Sequence, residues 1–406
     1  MSSPKILAFA YACEPGKGSE PGAGWLWARM LGRVGETWVI TRSNNREAIE
    51  GALGRAPEDS NLHFVYVDLP AWARFWKRGQ RGLRLYYVLW QGAALVEARR
   101  LQKSIRFDFV WHLTMATIWL GSGAALIDLP FVYGPVGGGV RTSWPLMRAL
   151  GVKGALFEVA RELTRIGHRY MNPLARLTWR RAELILVQNH ETRDWLPRSH
   201  RHKAEIFQNA LLVEPSGLRA IRGGSPPTAF FAGRLLAWKG LALALRAVAV
   251  LPEWRFVICG TGPDEARLRR LARRLGVEPR VEFLGWRPRE EVIRLLEKAD
   301  VFLYPSLHDE ASFAVVEASS GGLPVLCLDR GGPPLLGGMP VTTGNIHQTI
   351  DRLVRALSEV QSQEAVVLPS LQDRRVRLIG ILRRAGFPIA GARHVTGMQP
   401  RSESRS

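Results

Sequence analysis

The chain has 406 residues, 46% hydrophobic and 23% charged; this is the make-up of a globular protein with two or three domains and excludes a disordered chain. Its formal net charge of +20 bears on partners rather than fold: acidic substrates, an anionic membrane surface and nucleic acid all suit it, with an arginine-rich coding bias as the plain alternative. Three scattered cysteines, Cys13, Cys259 and Cys327, make no disulfide framework, and nine histidines show no ligand spacing, so a reducing cytoplasmic setting and no protein-built metal site are expected.

The opening apolar run is too short for a signal peptide and leads directly into a strand. Strand patterns fall at 5–11, 37–41, 63–67, 107–111, 131–133 and 184–187, then at 229–232, 255–259, 281–284, 301–304 and 324–328. Helical patterns alternate with them, which predicts an α/β fold with parallel sheets. The segment 72–90 interleaves aromatics with Arg and Lys. It suits an interfacial stretch on an anionic bilayer and equally a packed helix with a basic outer face. The longest uncharged stretch, 109–127, is interrupted by His112, Thr114, Thr117, Gly121, Ser122 and Gly123, and reads as a buried strand followed by a packed helix. A Gly/Pro cluster at 222–227 has the composition of a linker. The chain thus divides into residues 1–221 and 228–360, two doubly wound Rossmann-like domains facing across a cleft where ligands bind. Beyond 360 the helical pattern is short and the composition turns Gly/Ser/Arg-rich. Residues 361–406 are therefore expected to be irregular, with a disordered end.

The densest chemistry lies between 232 and 334. The run 232–240, Ala-Gly-Arg-Leu-Leu-Ala-Trp-Lys-Gly, follows a strand and carries Arg234 and Lys239. Fixed cations there can stabilise a departing pyrophosphate, each charge-assisted hydrogen bond contributing about 1.5–3 kcal/mol; a solvated basic turn is the alternative. Gly260-Thr-Gly-Pro263 joins a buried strand to the helical pattern 264–274, where glycine permits close backbone approach and proline starts a helix. Asp309 and Glu317 have seven residues between them. Residues 312–320 should be helical with Phe313, Val316 and Ser320 inward, which places Asp309 in the preceding loop and the amides of Ala311, Ser312 and Phe313 at an anion-favouring helix start. Two solvated acids at a helix start are the alternative. His112 ends a strand, a place that would face the cleft, although a lone histidine is often structural.

In their order and spacing these residues resemble the nucleotide-sugar half of a family 4 glycosyltransferase, a retaining enzyme of the GT-B fold. Gly233, Arg234, Lys239, Gly240, Gly260, Gly262, Pro263, Asp309, Glu317, Gly322 and Pro324 carry the likeness. The first half is similar at 18–25 and 130–139, and the resemblance runs over about residues 4–360. It implies that Arg234 and Lys239 hold the donor diphosphate, Glu317 the ribose, and Asp309 the transferred sugar. It also implies that Gly22, Gly24, Gly233, Gly260 and Gly262 lie on the donor side, that His112 touches donor sugar or acceptor, and that the loop containing Gly134 and 137–139 serves the acceptor or closure. The family usually has glutamate where Asp309 stands, and Glu310 occupies a place that is usually small, so either acid can be the first site residue. The implied reaction is metal-independent, cofactor-free transfer from a nucleotide-sugar donor to a saccharide or lipid-linked hydroxyl, as in polysaccharide biosynthesis, by a protein able to sit at the inner face of a membrane. No recognition helix or base-stacking module points to nucleic acid. A non-catalytic nucleotide- or partner-binding protein of the same fold is the rival reading.

Overall fold

A computed structural model describes residues 3–74, 82–115, 117–212, 226–360, 363 and 365–389. Seven strands build the first sheet: β1 (Lys5–Phe9), β2 (Glu36–Arg42), β3 (Leu62–Val67), β4 (Phe109–His112), β5 (Phe131–Val136), β6 (Leu184–Val187) and β7 (Ala204–Ile206). Their order is β3-β2-β1-β4-β5-β6-β7, and every pairing is parallel. Six more build the second: β8 (Thr228–Ala232), β9 (Arg255–Cys259), β10 (Val281–Gly285), β11 (Val301–Tyr304), β12 (Val325–Leu328) and β13 (Gly338–Val341). They are ordered β10-β9-β8-β11-β12-β13, again parallel throughout. Strand order reverses between β1 and β4 in one sheet and between β8 and β11 in the other. Ligands bind beyond the carboxyl ends of such strand pairs.

The helices of the first domain are α1 (Ser19–Gly32), α2 (Arg46–Glu50), α3 (Ala71–Arg74), α4 (Leu83–Leu101), α5 (Gly151–Met171), α6 (Pro173–Arg181) and α7 (His190–Trp195). Those of the second are α8 (Leu241–Val250), α9 (Glu265–Arg274), α10 (Arg289–Glu297), α11 (Phe313–Ser320) and α12 (Ile346–Glu359), and α13 (Leu371–Arg384) follows. Central strands such as Leu-Ile-Leu-Val of β6 and Val-Phe-Leu-Tyr of β11 are buried along their whole length, because helices cover both faces of the sheet. Two apolar clusters fill the two faces of the first sheet, one around Phe9, Trp90 and Trp179 and the other around Trp27, Phe109 and Trp111. The second domain has one cluster, and it takes in Leu146, Ala149 and Leu150 from the first. The domains therefore share core as well as a cleft.

Several expectations need correction. The segment 361–406 is not irregular throughout: α13 packs Leu378, Ile381 and Leu382 into the first domain's core, and Phe387 lies edge-on to Phe109 at 5.2 Å. Its start is fixed by a capping box in which Ser370 Oγ accepts from the Asp373 amide and the Ser370 amide donates to Asp373 Oδ2. The rest of that segment, from 390 onward, lies outside the described residues, as do 222–225 of the linker and 75–81 of the aromatic-basic stretch. Within 82–90, Tyr86, Tyr87 and Trp90 are buried, so those aromatics are core. After β4 comes a short 3-10 turn, Gly123–Leu126, where a packed helix was expected. Strands β7 and β13 escaped the sequence reading because one is three residues long and the other contains Pro340, and both are sheet edges, where burial is weakest.

Candidate active site

The loop after β8 and the loop after β11 leave adjacent strands at the reversal point, so their side chains converge. Lys239 Nζ donates to Asp309 Oδ2 and to the Tyr304 hydroxyl, which itself donates to Asp309 Oδ2. The ammonium also lies 4.9 Å from the centre of the Tyr304 ring. Burial opposes the charge on both ionic partners. For Asp309, Lys239 and the Tyr304 hydroxyl outweigh it and hold the carboxyl below its ordinary range; for Lys239, Asp309 does the same and holds the ammonium above its own. The pair is charged at neutral pH, and Tyr304, its phenol pushed up by burial and then by Asp309, is neutral.

Asp309 opens onto a cavity of about 260 Å³ between the domains. Trp238, His308, Glu310, Ala311 and Phe313 line its second-domain side, and Ser19, Glu20, Ala23, Gln188 and Asn209 its first-domain side. The start of α11 points into it: Ser312 is the N-cap, its hydroxyl accepting from the Val315 amide at 3.4 Å. The amides of this first turn have no acceptor within the helix, which makes Ala311–Phe313 a place that favours negative charge. The inward face of α11 is Val315, Val316, Ala318 and Ser319; of the expected Phe313, Val316 and Ser320, Val316 is on it and the other two are half-buried. Phe313 turns toward the cavity instead.

Arg234 stands exposed on the β8 loop, without a side-chain hydrogen bond or ion pair among the described residues. The loop itself is clamped by the turn 260–263. Leu235 donates its amide to Thr261 O at 3.0 Å, and a Cβ at Gly260 or Gly262 would lie 1.9 Å from Gly233 O or 2.2 Å from Leu235 O. Both glycines are required by backbone packed on backbone. Glu317, a turn into α11, receives Arg289 Nε at 3.0 Å and Nη2 at 2.8 Å. It does not touch the Lys239–Asp309 pair.

Glu310 turns the other way, across the cleft. Its Oε2 accepts from Asn189 Nδ2 at 2.6 Å and from Thr192 Oγ1 at 3.0 Å, and its Oε1 accepts from the Val140 amide at 3.3 Å. Beside it His308 Nδ1 lies 3.3 Å from Glu158 Oε2 and its ring stacks on Trp238, which stacks on Phe157 of α5. Burial would raise the Glu158 carboxyl, but His308 and Arg161 bring it down to about 2. Further out, the Gly331 amide donates to Glu191 Oε1 at 2.8 Å and Arg267 Nη1 to Ala149 O at 3.0 Å. The ambiguity between the two adjacent acids thus divides by direction: Asp309 faces Lys239, and Glu310 is bound to the first domain.

Two first-domain expectations are corrected. Gly22 and Gly24 are inside α1, not in a loop; each packs the helix against a carbonyl, Lys17 O or Ala12 O, within about 2 Å of where a Cβ would be. His112 ends β4 but is sealed inside the domain. Its Nδ1 lies 2.9 Å from Ser122 Oγ, its Nε2 lies 3.5 Å from the Tyr87 hydroxyl, and burial pushes its pKa down to about 3. Sequence reasoning missed Tyr304, the shared partner of Lys239 and Asp309, although its place at the carboxyl end of a reversal-point strand was a signal. It also missed Glu158, Asn189 and Thr192, whose partners lie more than a hundred residues away.

Comparisons with known proteins bear on the fold and the activity. A model of glycosyl transferases group 1 matches residues 221–375. A 2-deoxystreptamine glucosyltransferase from Streptomyces kanamyceticus is 27% identical over 341 residues, 76% of this chain and 83% of its own. A D-inositol 3-phosphate glycosyltransferase from Corynebacterium glutamicum is 32% identical over 148 residues, 33% of this chain but only 35% of its own length. Among solved structures, Anabaena HepE in complex with UDP superposes with a TM-score of 0.58 at 16% identity, covering 94% of this chain and 100% of that one. Sucrose-phosphate synthase from Thermosynechococcus elongatus also reaches 0.58, at 13% identity and 94% and 98% coverage. The two parallel-sheet domains have the GT-B fold of these structures, and the likeness to named glycosyltransferases identifies the protein as an enzyme of glycosyl transfer.

Proposed function

We propose that the protein moves a sugar from a nucleotide-sugar donor to a hydroxyl of a saccharide or lipid-linked acceptor, with retained configuration and without a metal. The observation that carries this is the pairing of Lys239 with Asp309 at the cavity into which the α11 N-terminus opens. In the reaction the bond from the anomeric carbon to the diphosphate breaks and a bond to the acceptor oxygen forms, while the acceptor proton leaves with the diphosphate. Charge therefore grows on the leaving group. The amides of Ala311, Ser312 and Phe313 supply fixed dipoles for it, and Lys239 and Arg234 supply the cations a divalent ion would otherwise provide. Asp309, held by Tyr304 and Lys239, orients sugar hydroxyls, and Glu317 with Arg289 takes the ribose. Gly233, Gly260 and Gly262 keep the phosphate-side loops at the right height. His112 acts through packing alone. The relatives named for glucosyl and glycosyl transfer support a hexose-class donor, and the neighbour bound to UDP supports a uridine nucleotide. The test is Arg234→Ala with Lys239→Ala, assayed by nucleotide diphosphate release in the presence of a chelator and by NMR of the product anomer. Loss of release from the variant is expected, with wild-type turnover unaffected by chelation and an unchanged anomer; full turnover in the variant overturns the reading.

A further inference from the structure

Helix α5 is built the wrong way round for a helix that faces water. Its two buried-side acids are consumed inward: Glu158 pairs with Arg161 at 3.1 Å, and Glu162 with Arg165 at 2.9 Å and Arg141 at 3.2 Å. Its outward face is apolar. Val152, Leu156, Leu163 and Tyr170 are 79%, 65%, 66% and 67% exposed, spaced so that they form one stripe along a helix of 21 residues that is about 32 Å long. Exposed Trp144 precedes the stripe and Tyr170 ends it, aromatics suited to a headgroup boundary. Among the described residues no helix is long and apolar enough to cross a membrane, and a helix with one apolar face suits an interface.

Charge selects the partner. Arg148 and Lys153 flank the start of the stripe and are exposed. At its end a groove of about 590 Å³, larger than the interdomain cavity, is lined by Arg169, Tyr170, Arg176 and Arg180. Arg176 and Arg180 make no ion pair among the described residues. A second copy of a chain with net charge +20 would set cation against cation on this face, whereas an anionic bilayer matches both the apolar stripe and the guanidinium groove. We infer that α5 and the groove at its end are the surface by which the protein docks on an anionic phospholipid bilayer, with the stripe in the interface and the arginines on lipid phosphates. The inference stands apart from the transfer reaction, since none of these side chains lines the interdomain cavity.

Flotation of the full chain with phosphatidylcholine vesicles, with and without phosphatidylglycerol, tests it. The wild type should partition at least about tenfold more strongly onto the anionic vesicles, with L156E/L163E losing about that factor and R176E/R180E losing only the anionic preference. Both pairs are exposed, and an unchanged thermal midpoint verifies their folding. The inference is overturned if the wild type does not float with anionic vesicles, if L156E/L163E floats as the wild type does, or if sedimentation shows a dimer that L156E/L163E splits while neither binds vesicles.

Discussion

The two domains place a polar cluster at the same point of the same topology and make opposite use of it. In the first, His112 ends β4 beside β1; in the second, Tyr304 ends β11 beside β8. His112 is enclosed by Ser122, Tyr87 and Tyr133. Among the described residues no charge reaches it, so burial keeps it neutral. Tyr304 instead joins Lys239 and Asp309, and there the ions compensate one another and remain charged at the edge of a cavity. A strand end beside the reversal point offers a site; whether it becomes one depends on whether a charged partner and an opening reach it. The difference lies in the loops, since the loop after β8 brings a lysine and the loop after β11 an aspartate.

That contrast can be broken most severely at Lys239. Lys239→Ala leaves Asp309 half-buried without a cation, and should lower transfer by about 10²–10³-fold and stability by about 3 kcal/mol. Combining it with Asp309→Asn should restore much of the stability, read from urea unfolding, and none of the transfer; recovery of both would make the cluster structural, like its first-domain counterpart. A smaller effect is expected where the clusters meet across the cleft. Glu310→Gln puts an amide against three donors, and should weaken domain closure by about 2 kcal/mol, seen as a larger radius of gyration in scattering and a KM rise of roughly tenfold that exceeds any change in kcat. Unchanged scattering and KM would show that the shared core alone holds the domains. The mildest effect concerns His112. Its folded pKa of about 3 lies below the ordinary value of 6.5, so the unfolded chain binds the extra proton first. Stability attributable to it is therefore full above about pH 6.5 and falls as pH drops toward 3, by up to about 1.4 kcal/mol per pH unit. Thermal midpoints of His112→Asn should show a shallower acid slope than the wild type; an equal slope would place the titration elsewhere.

Legibility followed the range of the interaction. Gly260 and Gly262 were readable because a tight strand-to-helix turn has a local signature, and β6 and β11 because a strand buried on both faces is a continuous apolar run. Helix α13 was obscured by five arginines among its fourteen residues, although Ser370 and Asp373 carry the spacing of a capping box. The aromatics of 82–90 gave the same pattern for a core helix and a membrane face, since both ask for amphipathic spacing.

The sequence by itself determined the alternation of strand and helix, the two-domain division, the loops that carry Arg234, Lys239 and Asp309 and the helix that carries Glu317, because burial period and turn chemistry act over a few residues. Only the tertiary structure decided that Asp309 meets Lys239 through Tyr304, that Glu310 is spent on Asn189 and Thr192, that Glu317 is held by Arg289 and that His112 is sealed. Each of those outcomes depends on which distant group arrives and on whether water is excluded when it does, and neither is encoded in local spacing.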